Sequence, residues 1–273
     1  MVATPIGNLD DISPRAVETL RAVDLIAAED TRHSQRLLNH LGVETRMQAY
    51  HEHNEEVQAE RLIARLQQGE SIALISDAGT PLVSDPGYRL LEQAHFQSIK
   101  VVPIPGACAA IAAMSVAGLP SDRFSFEGFP PAKQTARLSY LQALKDEPRT
   151  MVFYISCHRI LETLQDMKVV FGEQRLATFA REVTKTYETI RKATLDELSA
   201  WVTDDEMQRK GEIVLVVAGS TRNKSDHPMR DEILAALVDE LPVKQAAKIT
   251  SRITGINKNE LYEAALELKK KID

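Results

Sequence analysis

The stretch from residue 71 to residue 87 constrains the fold most. Ser71-Ile72-Ala73-Leu74-Ile75 is a short apolar run that reads as a buried strand. It empties into Ser76-Asp77-Ala78-Gly79-Thr80-Pro81-Leu82-Val83-Ser84-Asp85-Pro86-Gly87. Two glycines and two prolines within nine positions hold that backbone on a fixed course, and small side chains leave its N–H and C=O groups open to a ligand. Open α/β sheets bind ligands at the carboxyl ends of their strands, which is where this loop falls. Taken alone, it is equally an ordinary turn from strand to helix.

The surrounding pattern alternates strand and helix. Ser13 caps a helix with Pro14 at its first position, and Ala16, Val17, Leu20 and Val23 follow at helical spacing. Leu25-Ile26-Ala27-Ala28 reads as a strand, Ser34 to Leu41 as a helix stopped by Gly42, and Glu55 to Gln68 as a helix stopped by Gly69. A helix near Gly87–Ala94, a strand over Ile99-Lys100-Val101-Val102 and a slim alanine-rich helix over Ala107–Ala117 complete the first part. This alternation predicts a parallel sheet covered on both faces. The pattern changes near Leu119-Pro120-Ser121-Asp122, so we expect a first α/β domain over 1–120 and a second over 121–220. Strands are predicted at 124–128, 150–155, 177–180 and 212–217, with helices at 159–170 and 195–209. A polar link over 219–228 leads to a helical domain over 228–273, in which Val243–Thr254 and Lys258–Lys271 flank Gly255 like a helix-turn-helix.

Composition removes several classes. A net charge of −6 excludes a uniformly basic coat for nucleic acid. The basic charge is local: Val243 to Lys271 holds seven Lys and Arg against three Glu, about +4, so the rest carries about −10. Two cysteines, Cys108 and Cys157, are too few for a disulfide framework or a cysteine-based zinc site, which points to a reducing, cytoplasmic setting. Prolines and glycines break the uncharged run from Val101 to Ser121, so neither a membrane span nor a secretory signal is expected. His51-Glu52-His53 lacks a third ligand nearby, and no metal is expected. No two glycines stand two apart, so the G-x-G dinucleotide fingerprint is absent, as are the P-loop and the G-x-S-x-G elbow.

What the chain does have is a set of small-residue loops, each after a strand: Thr4-Pro5-Ile6-Gly7-Asn8-Leu9, Glu29-Asp30-Thr31-Arg32, Asp77-Ala78-Gly79-Thr80-Pro81 and Pro105-Gly106-Ala107-Cys108-Ala109. Parallel strands would gather them along one edge. With Gly118-Leu119-Pro120-Ser121-Asp122-Arg123-Phe124, Glu127-Gly128-Phe129, Ala180-Arg181-Glu182-Val183-Thr184-Lys185 and Lys210-Gly211-Glu212, this series resembles the tetrapyrrole methylase superfamily over nearly the whole chain, and within it the members that act on ribosomal RNA. The resemblance implies two α/β domains with a cofactor cleft between them, S-adenosylmethionine as methyl donor, and a homodimer. It also implies 2′-O-methylation of a cytidine in the decoding region of 16S ribosomal RNA within the small subunit. Two departures stand out: Ile155 occupies the place of a usual glutamate in Phe153-Tyr154-Ile155-Ser156-Cys157-His158-Arg159, and the first strand is cut short at Met1.

Candidate roles follow. The cofactor would be gripped by Pro5, Gly7, Asp77, Ala78, Gly79, Thr80, Pro81, Pro105, Gly106, Cys108 and Ala109. In the resemblance, Tyr154, Arg181 and Glu212 border its adenosine side. The competing readings are Tyr154 as core and Arg181 with Glu182 as a structural ion pair. A ribose hydroxyl is a poor acid, so a base should help. Asp30 or Glu29 is expected as proton acceptor or orienter, Arg32 as an anion clamp, and His51 as a further candidate. Lys133, Arg137, Lys185, Lys244, Lys248, Arg252 and Lys258 are candidate RNA contacts, as are Arg191 and Lys192. Two other readings remain at this stage: a methylase of a small tetrapyrrole-like molecule, and a non-catalytic RNA-binding assembly protein.

Overall fold

The computed structural model describes residues 1–220 and 230–272. The expected polar link over 219–228 therefore lies mostly outside the described residues. Contacts divide the chain into two compact units, one of residues 1–145 and 149–218 and one of 146–148 and 219–273.

The first unit contains two sheets. In the first, β1 (Leu25–Ala28) lies between β2 (Met47–Ala49) and β3 (Ile72–Ile75), and all are parallel. Side chains alternate across β1 as strand geometry demands. Ile26 and Ala28 join Ala16, Leu20 and Leu38 from α1 (Pro14–Ala22) and α2 (Thr31–Leu41) on one face. Leu25 and Ala27 join Ala59, Leu62, Leu90 and Ala94 from α3 (Glu55–Gln67) and α4 (Tyr88–Phe96) on the other. Both faces are thus covered, as the strand and helix alternation predicts. The expected strand at 99–102 is not formed. Instead Ile104 pairs with Val2, donating its N–H to Met1 O at 2.8 Å and accepting from Ala3 N at 3.2 Å. Met1 N also donates to Val102 O at 3.1 Å; Pro103 and Pro105 have no N–H, so of residues 103–105 only Ile104 can donate to a ladder.

The second sheet has the order β4-β5-β8-β6-β7, formed by β4 (Phe124–Gly128), β5 (Thr150–Ile155), β6 (Leu176–Arg181), β7 (Thr189–Thr194) and β8 (Ile213–Val217). Only β4 and β5 are parallel. The alanine-rich α5 (Ala109–Val116) lays Ala110, Ala113 and Met114 on Val152, Val214 and Val216 of one face. Small side chains let the helix approach closely. The other face carries the largest core, where α6 (Gln134–Ala143), α7 (Ile160–Phe171) and α8 (Leu195–Asp204) cover Met151, Phe153, Phe179 and Leu215. Truncating a fully buried residue such as Phe153 costs about 3–5 kcal/mol in comparable cores. Thr194 and Glu197 form a reciprocal capping box that starts α8 immediately after β7.

In the second unit, α9 (Arg230–Glu240), α10 (Val243–Thr254) and α11 (Lys258–Ile272) share a small core of Leu234, Val238, Ala246, Ala247, Ile256, Leu261 and Ala265. Gly255 ends α10 in the left-handed conformation at φ 72°, which a residue without Cβ adopts at little cost. Among the described residues, no helix is long and apolar enough to cross a membrane.

Candidate active site: two adjoining cavities

The carboxyl edge of the first sheet brings its loops together through hydrogen bonds. Thr4 and Gly79 exchange backbone bonds of 2.8 and 3.1 Å. Asp30 N donates to Asp77 Oδ1 at 3.0 Å, and Thr80 Oγ1 donates to Ala107 O at 2.9 Å. A loop after β6 meets them, since Asn8 N donates to Thr184 Oγ1 at 3.1 Å. A Cβ at Gly7 would collide with Lys185 and Thr184, so this closeness requires glycine. Leu82, Ser84, Glu182 and Thr184 hold positive φ without being glycine. Such strain persists only where surrounding contacts over-determine it, and it gathers at functional sites.

Two cavities open here. The first, of about 390 Å³, lies against Ala78, Gly79, Thr80, Val83, Asp85, Cys108, Ala109, Phe129, Tyr154, Ile155, Cys157 and Glu212 to Val214. Its walls are apolar and aromatic. Phe126 and Phe129 meet Tyr154 edge-on at 4.9 and 5.5 Å, and the Tyr154 hydroxyl accepts from Ala110 N at 3.2 Å. Among the described residues, no Lys, Arg or His lines this cavity, whereas Asp85 and Glu212 do. Burial pushes the Asp85 carboxyl above its usual range. The second cavity, of about 360 Å³, lies against Pro5, Gly7, Leu9, His33, Ser34, Arg36, Leu37, Asp77 and Lys185. Ile6, Ala78 and Glu212 line both. Burial works against the charge of Lys185, yet its bonds to Glu182 at 2.9 Å and Glu212 at 3.1 Å outweigh that and raise its pKa.

Of the expected cofactor residues, Ala78, Gly79, Thr80, Cys108, Ala109, Tyr154 and Glu212 reach the first cavity, while Pro5, Gly7 and Asp77 line the second. Pro81, Pro105 and Gly106 are not on either wall; they line a separate apolar groove with Met1, Ala3 and Ile111. Arg181 requires a correction. It is 6% exposed, and its guanidinium is consumed by Gln208 Oε1, Lys210 O, Tyr187 O and Thr189 Oγ1. It ties β6 to its neighbours and is on neither cavity wall, and its partners are not the Glu182 of the competing reading. Tyr154 is half-buried and faces the cavity, so it is not simply core.

The catalytic candidates separate sharply. Asp30 caps α2 and is held near a pKa of about 2, first by the Arg32 side chain and then by the Arg32 N–H. A carboxylate so stabilised is a poor proton acceptor, and Arg32, 91% exposed, is engaged with it at 3.0 Å. Glu29, one residue earlier, is half-buried and accepts from Asp77 N at 3.4 Å. Burial, then the charge of Asp85, raises its pKa. His51 sits in the turn after β2, where its backbone N–H donates to Asn54 Oδ1; it lines neither cavity, and nor do Glu29, Asp30 and Arg32.

Arg137 is a second correction: it is 1% exposed, with Nε on Asp166 at 2.7 Å and Nη2 on Glu162 at 3.3 Å. A buried guanidinium paired in this way joins α6 to α7 and cannot reach a phosphate. Lys133, Lys244, Lys248, Arg252 and Lys258 are exposed. Sequence reasoning assigned no role to Asp85, Phe129, His33 or Arg36. The signal for the last two was present, because 33, 36 and 37 fall on one face of a helix whose cap is Asp30. Among the described residues, no group of three or more His, Cys, Asp or Glu is arranged to hold a metal.

Comparison with known proteins agrees with this architecture. Diphthine synthase, a solved structure, superposes with a TM-score of 0.62 at 18% identity over 80% of this chain and 88% of its own, a likeness of fold alone. Ribosomal RNA small subunit methyltransferase I of Pseudomonas aeruginosa is 57% identical over 98% of this chain and 96% of that protein. The protein of that name from Escherichia coli O157:H7 is 55% identical over 98% and 94%. Residues 228–269 match the RsmI C-terminal HTH domain. Residues 1–199 match the tetrapyrrole (corrin/porphyrin) methylases, and the chain belongs to that family.

Proposed function

We propose that this chain transfers a methyl group from S-adenosylmethionine to a ribose 2′-hydroxyl of 16S ribosomal RNA, at a cytidine of the decoding region in the small subunit. The observation that carries this reading is the pair of adjoining cavities of different charge character, the first with carboxylates and the second with His33, Arg36 and Lys185 beside Asp77 and Glu212. The first suits a compact ligand with an aromatic base and positive charge, because it offers aromatic edges, open backbone groups and two carboxylates and, among the described residues, no cation to face a polyphosphate. When bound, S-adenosylmethionine supplies a methyl carbon activated by a positively charged sulfur. Gly79, Thr80, Cys108, Ala109 and Tyr154 would hold it, with Asp85 beside its positive groups.

The second cavity would take the acceptor nucleotide, with Arg36 and Lys185 toward its phosphates. Such a nucleotide must be splayed from its neighbours for its ribose to enter a cavity. We assign Glu29 as the group that accepts the hydroxyl proton: it stands behind the second wall, bonded to the N–H of wall residue Asp77 at 3.4 Å, and a half-buried carboxylate with a raised pKa matches that task better than Asp30. The relatives that share the whole chain, tail included, are named as ribosomal RNA enzymes, which supports RNA over a small tetrapyrrole-like acceptor. A second copy of the chain would seat on the apolar face of α5, where Ile111 and Val116 are half-exposed beside the Pro103–Gly106 groove. The setting would be the cytoplasm, with the ribosome.

The test is transfer of a radiolabelled methyl group to small subunits that lack the modification, followed by mapping of the label. One methyl on a ribose of 16S RNA is expected. A folded, cofactor-binding protein that labels no RNA would sink the proposal. Sedimentation of the purified chain, with and without Ile111→Glu, decides the dimer.

A further inference from the structure

The helical unit distributes its charge very unevenly. The segment of α9 carries Arg230 against Asp231, Glu232, Asp239 and Glu240. Along α11, Glu260, Glu263 and Glu267 interrupt the lysines. By contrast α10, Val-Lys-Gln-Ala-Ala-Lys-Ile-Thr-Ser-Arg-Ile-Thr, contains three cations and no acid. Lys244, Lys248 and Arg252 follow one another at every fourth position, so they form a single row with a rise of about 6 Å between them. All three are exposed. Arg230 of α9 pairs instead with Asp231 and Glu260. A second row lies one residue on, at Gln245, Ile249 and Ile253, with the isoleucines 36% and 58% exposed. The opposite side of the helix, Ala246, Ala247 and Thr250, is buried against its neighbours.

Resting on the RNA-methylation reading, we propose that α10 is the RNA-docking face of the helical unit: Lys244, Lys248 and Arg252 track one phosphate strand while Ile249 and Ile253 lie against its sugars. This inverts the usual use of a helix-turn-helix, in which the second helix of the pair enters the groove. The physical reason is charge. A polyanion is repelled by the carboxylates of α9, meets mixed charge on α11 and meets only cations on α10. The shallow groove of an A-form helix exposes sugar edges, and apolar side chains beside a cation row fit such a surface better than bare solvent.

The experiment uses the full-length chain and two probes, small subunits lacking the modification and protein-free 16S ribosomal RNA. Replacing the row (Lys244→Gln, Lys248→Gln, Arg252→Gln) is expected to raise KM for subunits by about 10-fold or more and to reduce the slope of log K against log salt, measured on free RNA, by about 2. The kcat and the affinity for S-adenosylmethionine should not move, and far-UV circular dichroism reports folding. A charge-keeping set (Lys244→Arg, Lys248→Arg, Arg252→Lys) should bind like the parent, which rules out a shape defect. Lys269→Gln on α11, an exposed cation outside the row, should change KM less than 2-fold.

The proposal is overturned if Lys269→Gln costs as much as the α10 row, or if the row costs nothing. It is also overturned if the row weakens subunit turnover but not free RNA binding, which would make a ribosomal protein the partner. Should the parent chain methylate no subunits, the methylation reading fails by itself, and the salt slope on free RNA still decides the role of α10.

Discussion

The two cavities of the first unit share a wall and differ in nearly everything else. One is apolar, aromatic and anionic; the other mixes His33, Arg36 and Lys185 with Asp77 and Glu212. Ile6, Ala78 and Glu212 stand at the partition. A methyl donor is cationic at the sulfur, and a nucleotide acceptor is anionic at its phosphates, so one uniform chamber would serve one of them badly. A partition of Ile6, Ala78 and Glu212 between the two would let both proposed ligands approach from separate sides. The same division appears in Glu29 and Asp30, adjacent in sequence: burial raises the pKa of one, and Arg32 lowers that of the other to about 2.

The largest blow to this arrangement should come from Gly79→Val. Its φ of 84° is strained for any side chain, and a Cβ there stands 3.3 Å from Ile6. Loss of S-adenosylmethionine binding by about 100-fold or more in calorimetry is expected; unchanged affinity would remove Gly79 from the cofactor wall. Next, Glu29→Gln should lower kcat by about 100-fold with cofactor affinity intact. In the parent enzyme kcat should climb as pH rises through the elevated Glu29 pKa, because only the ionised form accepts a proton, and this limb should vanish in the variant.

Asp85→Asn should weaken cofactor binding by about 10-fold while making the protein more stable at neutral pH. The sign follows from linkage. The folded pKa of Asp85 is raised, so its contribution to stability is full below the ordinary carboxylate value and is lost as pH rises through the raised one. Thermal unfolding at acidic and neutral pH should therefore show the gain only at neutral pH.

Lys185→Ala tests the other cavity and should raise KM for RNA by about 5-fold, leaving cofactor affinity unchanged. The smallest effect belongs to Asp30→Asn, where kcat should stay within about 2-fold of the parent because asparagine also caps a helix. A large loss of kcat there would reverse the roles assigned to Asp30 and Glu29.

Much of the fold was legible because its signals are local. The cap at Ser13, the stop at Gly42 and the apolar run of β8 each act within a few residues. Less legible were β2, only three residues long, and β7, whose Thr189–Thr194 alternates polar residues along a sheet edge. The cavities were half legible. Their glycine-rich loops announce themselves, whereas Phe129 and Asp85 become wall residues only through β4 and the 82–87 loop. Arg137 and Arg181 were misread for one reason: a cation in sequence carries no mark of whether a carboxylate or carbonyl will enclose it.

The sequence by itself determined the strand and helix alternation, the loops that close the parallel strands, the family likeness and the basic charge of the tail, since each depends on spacing and chemistry within a short window. Only the tertiary structure decided which charges face a cavity. Contacts far apart in the chain, such as Lys185 over Gly7, Tyr154 against Ala110 and Asp166 around Arg137, set the burial and partners on which each ionisable group's role depends.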